Sequence, residues 1–262
     1  MHESGDVGQR VDLARRHLLL ATLALSLWPG HGRAASVSTP DLIANAILLP
    51  GLVDSADSGP LIDLVRALDQ HYPEGSIHIH AYPVARALTL VGAGQADLVF
   101  PAMRLSPEAE ARLPYRFSTE AMGRVSFVLY SHSGRSLTRD DLFAAAQRGN
   151  PYVIEAPPFS DWGIPTRPLV SFESAFRKIA ARRIDGLLWA QEEADSVLRR
   201  IGVRRIRRSH YADFDDVFIV PRGPRGDFVD QVLTRALRAV RVSGHLEGLY
   251  RRVHQPYQDW QP

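Results

Sequence analysis

Short apolar runs alternate with amphipathic helical patterns along most of the chain. The helical pattern is clearest where Leu61, Leu64, Val65 and Leu68 fall three or four positions apart and therefore share one face. Residues 76–81 instead alternate apolar and polar side chains, which is typical of a strand with one buried face. Repeated alternation of the two patterns predicts an α/β architecture with mainly parallel sheets.

The same patterns predict the remaining elements and the way the lobes are joined. No low-complexity segment interrupts the predicted elements, so we expect two lobes connected by crossing strands instead of a flexible tether. Thr138 is the predicted cap of one helix, and Phe228 is expected on the inward face of the longest one. The predicted strands are 47–49, 76–81, 97–102, 125–130, 152–155, 185–189 and 215–220, and the predicted helices are 60–68, 83–91, 138–147, 172–182, 226–243 and 246–253.

Residues 1–35 have the pattern of an export signal. Arg15 and Arg16 precede an apolar run, 18–28, and small residues around Ala34 provide a cleavage site. The run is about half of the roughly 20 residues that a membrane-spanning helix needs. The arginine pair fits a twin-arginine signal and equally the basic start of an ordinary secretory signal. Both routes lead out of the cytoplasm, so we predict a periplasmic protein that is cleaved near Ala34.

Composition narrows the function classes. The chain has 262 residues, of which 45% are hydrophobic and 23% charged, so it can bury a sizeable core. The formal net charge is only +2, and the paired arginines stand beside apolar residues as solvated faces do, which argues against a nucleic-acid partner. Cysteine is absent, which excludes disulfides, thiol nucleophiles, zinc–cysteine sites and a lipidated N-terminus.

Several segments, read in chain order, resemble segments of one family. They are Gly59-Pro60-Leu61-Ile62-Asp63-Leu64-Val65, Pro83-x-x-Arg86-Ala87 followed by Gly94-Gln95-Ala96-Asp97, Ser106-Pro107-Glu108, 124–130, Arg182-Arg183-Ile184-Asp185 and Gly244-His245-Leu246. Each segment alone has weak specificity, and the resemblance depends on their order and spacing. Through them the chain is similar, over essentially all of 40–255, to the family 3 extracellular (periplasmic) solute-binding proteins of the polar amino-acid ABC-transporter type.

The resemblance implies a type II periplasmic-binding-protein fold, with two α/β lobes joined by crossing strands and a ligand cleft between them. Lobe 1 would comprise 36–126 plus 217–262, and lobe 2 would comprise 127–216. The ligand would lie where the C-terminal ends of the strands and the N-termini of helices converge.

Two departures from the family bear on the ligand. The family's arginine for a ligand α-carboxylate aligns with Ala109, although Arg104 and Arg112 lie nearby in the sequence. The family's acidic residue for the α-ammonium group aligns near 189–191, a Trp-Ala-Gln segment that the glutamates at 192–193 follow. The ligand class therefore stays open between an amino acid and a related organic acid.

Polar and aromatic side chains at strand ends are the candidate ligand-binding residues, because pockets draw their specificity from such positions. Ser160 could cap a helix whose free N–H groups receive an anion, and Arg104 could hold an anionic ligand. Core packing is the alternative role for Trp162 and Trp189. The candidates are Tyr82, Arg86, Met103, Arg104, Phe159, Ser160, Asp161, Trp162, Trp189 and Gln191.

Metal binding and catalysis find little support. His78 and His80 share one face of a predicted strand, but no further ligand stands at a suitable spacing. No G-x-S-x-G, Walker or dinucleotide fingerprint occurs. We expect no catalytic residue, no cofactor and no metal ion.

These observations favour a periplasmic solute-binding protein that captures a small polar solute by lobe closure and presents it to an ABC transporter membrane permease. Two alternatives stay open. One is a periplasmic enzyme on the same scaffold, of the cyclic-acid dehydratase type, which needs a cleft carboxylate or histidine with a shifted pKa. The other is a ligand-sensing receptor for a signalling partner. We expect a monomer that binds no nucleic acid.

Overall fold

The computed structural model of the chain describes residues 41–158 and 162–262, and the predicted signal peptide lies outside them. The strands in these residues are β1 (Leu42–Ile47), β2 (Ile77–Tyr82), β3 (Leu98–Met103), β4 (Tyr115–Phe117), β5 (Gly123–His132), β6 (Ile154–Ala156), β7 (Arg167–Pro168), β8 (Gly186–Ala190) and β9 (Ile206–Pro221). The helices are α1 (Pro60–Asp69), α2 (Val84–Gly92), α3 (Pro107–Glu110), α4 (Arg139–Gln147), α5 (Phe172–Ala180), α6 (Gln191–Ile201), α7 (Pro224–Val242) and α8 (His245–Tyr250).

The described strands form one sheet in the order β2-β1-β3-β9-β5-β8-β6-β7, and β4 pairs with β9. The pairs β1–β2, β1–β3, β6–β7 and β6–β8 are parallel. The pairs of β9 with β3, β4 and β5, and of β5 with β8, are antiparallel. The sheet is therefore mixed, and the prediction of mainly parallel pairing was wrong, because the long strands β5 and β9 pair antiparallel.

Strand β9 connects the two halves of the sheet. Its C-terminal residues pair with β3 and β4, as in the pair Val99 with Ile219. Its N-terminal residues pair with β5, from Gly123 opposite Asp216 onward. One strand thus pairs with strands of both halves, as the predicted connection by crossing strands requires.

Amphipathic helices cover the faces of this sheet. Leu61, Leu64, Val65 and Leu68 of α1 are fully buried in one core cluster with residues of β1, β3, α7 and the end of β9. The predicted apolar stripe is therefore confirmed. In the other half, α5 buries its apolar face against β5 and β8 in a separate cluster. Each half thus has its own apolar core, as lobes of an α/β protein do.

Local signals determine where several helices begin. Thr138 caps α4, and its side chain and that of Asp141 form a reciprocal capping box. Helix α1 begins at Pro60 after Gly59, whose φ is 130°. A Cβ on Gly59 would lie 2.4 Å from the Leu52 carbonyl oxygen, so only glycine fits this entry to the helix.

Three sequence predictions of local structure were wrong. The first strand covers Leu42–Ile47 instead of 47–49, because the buried Asn45 interrupts its apolar run. Strand β9 begins at Ile206 instead of 215, since its first half is rich in polar and charged residues. Phe228 is exposed instead of inward, and the Arg225 guanidinium lies 5.4 Å from its ring centre.

The C-terminal segment, residues 251–262, packs against α6 and the first half of β9. Arg208 of β9 donates from Nη1 to the carbonyl oxygens of Gln258 (2.7 Å) and Trp260 (2.6 Å). Gln191 of α6 donates from its amide to the carbonyl oxygen of Gln255 at 2.7 Å. The segment therefore connects α8 to elements that the sequence assigns to lobe 2.

A buried ion pair holds this junction together. Arg208 binds Asp195 through two hydrogen bonds of 2.8 Å, and the arginine side chain is completely buried. The Tyr130 hydroxyl donates to Asp195 Oδ1 and the Trp260 indole donates to Oδ2. Both oxygens of the Asp195 carboxylate thus accept hydrogen bonds, which a buried charge requires.

We expect Arg208→Ala to lower the free energy of unfolding by about 3 to 5 kcal/mol, because it leaves the Asp195 carboxylate buried without its counter-ion. Urea denaturation measures the change. Arg200→Ala is the matched control, since Arg200 is 67% exposed and its ion pair with Glu173 should contribute less than about 1 kcal/mol. Equal effects of the two variants would contradict the prediction.

Candidate functional site

A cavity of about 500 Å³ lies where strands of both halves end. Its walls come from the C-terminal ends of β1, β3 and β8, from the start of α2, and from the segment after β6. This is the edge of an α/β sheet at which ligand sites are usually found. Residues that represent these walls are Ile47, Leu49, Val84, Met103, Pro157 and Trp189.

The lining is apolar over most of its surface. Aliphatic side chains and the aromatic rings of Tyr115, Phe117, Phe127 and Trp189 contribute to it. Charged and imidazole groups occur at a single end, where Glu193, Asp216 and His254 meet. The described lining contains no arginine, lysine, serine, threonine, asparagine or glutamine.

The polar end of the cavity is an acidic cluster of Glu192, Glu193 and Asp216 around His254. The Nδ1 atom of His254 lies 3.1 Å from Glu192 Oε2, and its Nε2 atom lies 3.8 Å from Asp216 Oδ2. The Tyr250 hydroxyl donates to Asp216 Oδ2 at 3.2 Å. Glu193 Oε2 is buried and has no hydrogen-bond partner among the described residues.

Three elements bring this cluster together. The two glutamates lie in the first turn of α6, immediately after β8, and Asp216 lies in β9. His254 follows α8, and its backbone N–H donates to the Tyr250 carbonyl oxygen at 2.9 Å. Gly123 pairs with Asp216, and a Cβ there would lie 2.1 Å from the Tyr250 ring, so glycine lets this ring pack beside the carboxylate.

Burial and mutual charge shift the proton affinities of the cluster. Burial raises the pKa of Glu193 to about 7, although the charge of His254 opposes the shift. Burial also raises the pKa of Asp216 to about 6. Burial alone would lower the pKa of His254, but its hydrogen bond to Glu192 and the nearby Asp216 outweigh that effect and raise it. The cluster therefore exchanges protons near neutral pH.

The structure places two of the predicted ligand residues, Met103 and Trp189, in the cavity lining. Arg104 is not part of that lining. Its Nε atom lies 3.3 Å from Asp215 Oδ2, and its Nη2 atom donates to the Ser118 carbonyl oxygen at 2.9 Å. The guanidinium thus tethers β3 to neighbouring backbone, and a ligand-binding role for it stays a prediction.

The other described candidates also lie outside the lining. The Arg86 guanidinium stacks over the Tyr82 ring at 4.5 Å, and both side chains are at least partly exposed. Trp162 is buried in a core cluster, and its indole donates to the Pro157 carbonyl oxygen at 3.1 Å. The ligand-binding roles of Tyr82, Arg86 and Trp162 stay predictions.

Gln191 and the segment 159–161 complete the predicted set. Gln191 is buried, and its amide hydrogen-bonds to the C-terminal segment, away from the cavity lining. Phe159, Ser160 and Asp161 lie outside the described residues. The ligand-binding roles of all four stay predictions.

Sequence reasoning missed the acidic cluster as a site. A signal existed for Asp216, which is a carboxylate at the start of an apolar strand, and for Glu193, which follows the strand end at Trp189. No pattern marks His254, because it follows the last predicted helix and reaches the cluster only through the packing of α8.

Neither a metal cluster nor a spanning helix is found in residues 41–158 and 162–262. No group of three or more His, Asp and Glu side chains there has an arrangement suited to a metal ion. No helix there has the length and apolar character needed to cross a membrane. His78 lies 3.5 Å from an Asp41 carboxylate oxygen, and His80 stacks on Tyr82.

We expect Glu193→Gln to gain stability over the wild type as pH rises. The pKa of Glu193 is about 7 in the folded protein and about 4.5 ordinarily, so the folded state binds this proton more tightly and loses stability as pH rises from about 4.5 to 7. Glutamine removes that loss. The advantage of the variant should grow by about 2 kcal/mol between pH 5 and pH 8.

Urea denaturation of both proteins at the two pH values measures this difference. The matched control is Glu74→Gln, which changes an exposed glutamate paired with Arg235 outside the cavity lining and should show no such growth. An advantage of Glu193→Gln that is equal at both pH values would contradict the raised pKa.

Comparison with known proteins identifies the fold. No protein-family model matches the sequence, and no curated protein matches it. The GluR0 ligand-binding core from Nostoc punctiforme in complex with L-glutamate matches with a TM-score of 0.60 at 17% identity, over 82% of this chain and 100% of that chain. An ABC uptake transporter substrate-binding protein from Streptococcus pneumoniae with bound histidine matches with a TM-score of 0.60 at 16% identity, over 82% and 92%.

A histidine kinase sensor domain with similarity to periplasmic binding proteins matches with a TM-score of 0.61 at 12% identity, over 81% of this chain and 95% of that chain. At these identities the likeness shows the fold. The mixed sheet, its crossing strand β9 and the surrounding helices agree with these neighbours. The chain has the type II periplasmic-binding-protein fold, as the sequence predicted.

Proposed function

We propose that this protein is a periplasmic solute-binding protein that captures a small molecule in the cavity between the two halves of its sheet. The observation that carries the proposal is the position of the cavity. Its lining comes from strand ends in both halves, with Met103 from one and Trp189 from the other. Its volume falls within the roughly 300 to 1,000 Å³ of small-molecule sites.

Capture by lobe closure follows from this placement. The proposed lobes are 36–126 plus 217–262 and 127–216, and the cavity walls come from both. Movement of one lobe against the other would change the distance between the walls, so a solute that contacts both walls stabilises the closed form. The sequence favours a polar solute, whereas the apolar lining favours one with a substantial apolar part.

The proposed partner is an ABC transporter permease. Its support is the predicted export signal together with structural neighbours that include a substrate-binding protein of an ABC uptake transporter with bound histidine and the substrate-binding protein of an amino-acid ABC transporter. We propose that the protein is a monomer that carries its solute through the periplasm.

A ligand-sensing receptor is the second candidate. The histidine kinase sensor domain among the neighbours supports it, because that domain has the same fold. The two functions share the binding step and differ in the partner, so isolation of the membrane protein that binds the loaded form distinguishes them.

The dehydratase-type enzyme is the remaining alternative. A solute that binds and is not converted would argue against it, and the neighbours named as binding proteins support a non-enzymatic role.

We expect a thermal-shift screen with amino acids, organic acids, polyamines and apolar amines to find a stabilising solute. A solute at 100 times its dissociation constant adds about 2.7 kcal/mol to the free energy of unfolding. Ala102→Trp should abolish the shift, because Ala102 lines the cavity and the indole would fill it. Ala93→Trp, on the exposed end of α2, is the matched control and should keep the shift.

The proposal fails if no compound of the panel stabilises the protein. It also fails if Ala102→Trp folds and retains the full shift, because the solute would then bind elsewhere.

A further inference from the structure

We infer that the cavity takes a solute with an apolar body and one protonated amine, and that Glu193 is the residue that anchors the amine. This inference rests on the proposed solute-binding function and names the chemical class of the solute. It is carried by the geometry of the cavity, the lack of arginine and lysine side chains in its described lining, and an unpartnered carboxylate oxygen.

The apolar body follows from the walls. Apart from the acidic cluster, the described lining consists of aliphatic and aromatic side chains and proline rings. Outside the acidic cluster, the Tyr115 hydroxyl and the Trp189 indole are the side-chain hydrogen-bond donors of the described lining, so a strongly polar solute would lose most of its hydration there without replacement, and this loss is costly. An alkyl or aryl group gains from the same walls, and each buried methylene should tighten binding about fourfold.

The charges at the polar end disfavour an anionic solute. No arginine or lysine is present in the described lining to receive a carboxylate. The His254 imidazole already faces Glu192 at 3.1 Å and Asp216 at 3.8 Å on its two nitrogen atoms, so it has no nitrogen left for an anion. An anion at this end would meet the carboxyl groups of Glu193 and Asp216, which repel it when they are ionised.

One carboxylate oxygen of the cluster has no donor, which is the reason to infer a cation. The three carboxyl groups share one imidazole, the Tyr250 hydroxyl, the Trp189 side chain, the Gln191 amide and the backbone N–H groups of Ala102 and Gln255. Glu193 Oε2 receives none of these donors although it is buried and its residue lines the cavity. A protonated amine supplies both the donor and the positive charge, and a charge-assisted hydrogen bond is the strongest kind available.

The pH dependence of binding should reflect Glu193. Burial raises its pKa to about 7, and the groups that face it are Glu192, Asp216, His254 and the Trp189 side chain. An alkylamine stays protonated well above this range, as a lysine side chain does. The anionic form of Glu193 becomes more populated as pH rises, so amine binding should strengthen between pH 6 and pH 8.

Isothermal titration calorimetry with three matched probes tests the inference. The probes are 4-phenylbutylamine, 4-phenylbutanol and 4-phenylbutanoate, which share one apolar body and differ in the charge of the end group. At pH 7.5 we expect the amine to bind at least about tenfold more tightly than the alcohol, with the carboxylate weakest. Glu193→Gln should remove most of this preference, whereas the exposed control Glu74→Gln should leave it unchanged.

Any other result contradicts the inference or part of it. Equal or tighter binding of the alcohol or the carboxylate overturns the inference, as does an amine preference that survives in Glu193→Gln. Equal affinities for propylamine, butylamine and hexylamine would overturn the apolar-body requirement. If none of the probes binds but an amino or organic acid gives a shift that Ala102→Trp abolishes, the inference fails and the proposed function stands. If no compound binds, the proposed function fails as well.

Discussion

Strand β9 hydrogen-bonds to β3 and β4 near its C-terminal end and to β5 along its N-terminal part, and the rest of the structure depends on this shared strand. The two halves have separate apolar cores, so neither core alone determines how the halves are placed. Asp216 pairs with both Met103 of β3 and Gly123 of β5, which places this carboxylate at the junction. The cavity opens beside it because the strand ends of both halves converge there.

The acidic cluster at this junction opposes folding stability. Burying Glu193 and Asp216 raises the pKa of both groups, which means that their charged forms lose more hydration than the surroundings return. An apolar residue at position 193 would avoid this cost in a cavity whose other walls are already apolar. Sites that bind a ligand often retain such costs because the ligand supplies the missing partner. By the same reasoning, a solute bound at Glu193 would restore stability as it closes the site.

The parts of the fold that the sequence predicts are those with strong local periodicity. The stripe that begins at Leu61 and the cap at Thr138 come out as predicted, since neighbours in sequence determine both. The sequence did not predict the first half of β9, because partners distant in the chain determine which of its residues are buried. An arginine such as Arg208 is expected at the surface, yet its side chain is completely buried against Asp195 and the C-terminal segment. In the candidate site, the choice of side chains at strand ends correctly places Met103 and Trp189 in the cavity lining. The acidic cluster comes from three elements that are far apart in the chain, so only tertiary packing assembles it.

The C-terminal segment gives the cavity a direct mechanical link between the halves. Glu192 of α6 binds the His254 imidazole and the Gln255 backbone N–H, while the same imidazole faces Asp216 of β9. Any motion of the proposed lobe 1, which includes His254, against α6 must therefore stretch these contacts or carry the segment along. The unpartnered carboxylate of Glu193 is next to Glu192 in the same helical turn, so a cation that binds it also acts on this link. If the lobes close as proposed, the solute charge would act on that movement through one turn of helix, and the charged end of the solute, more than its apolar body, would set the closed position.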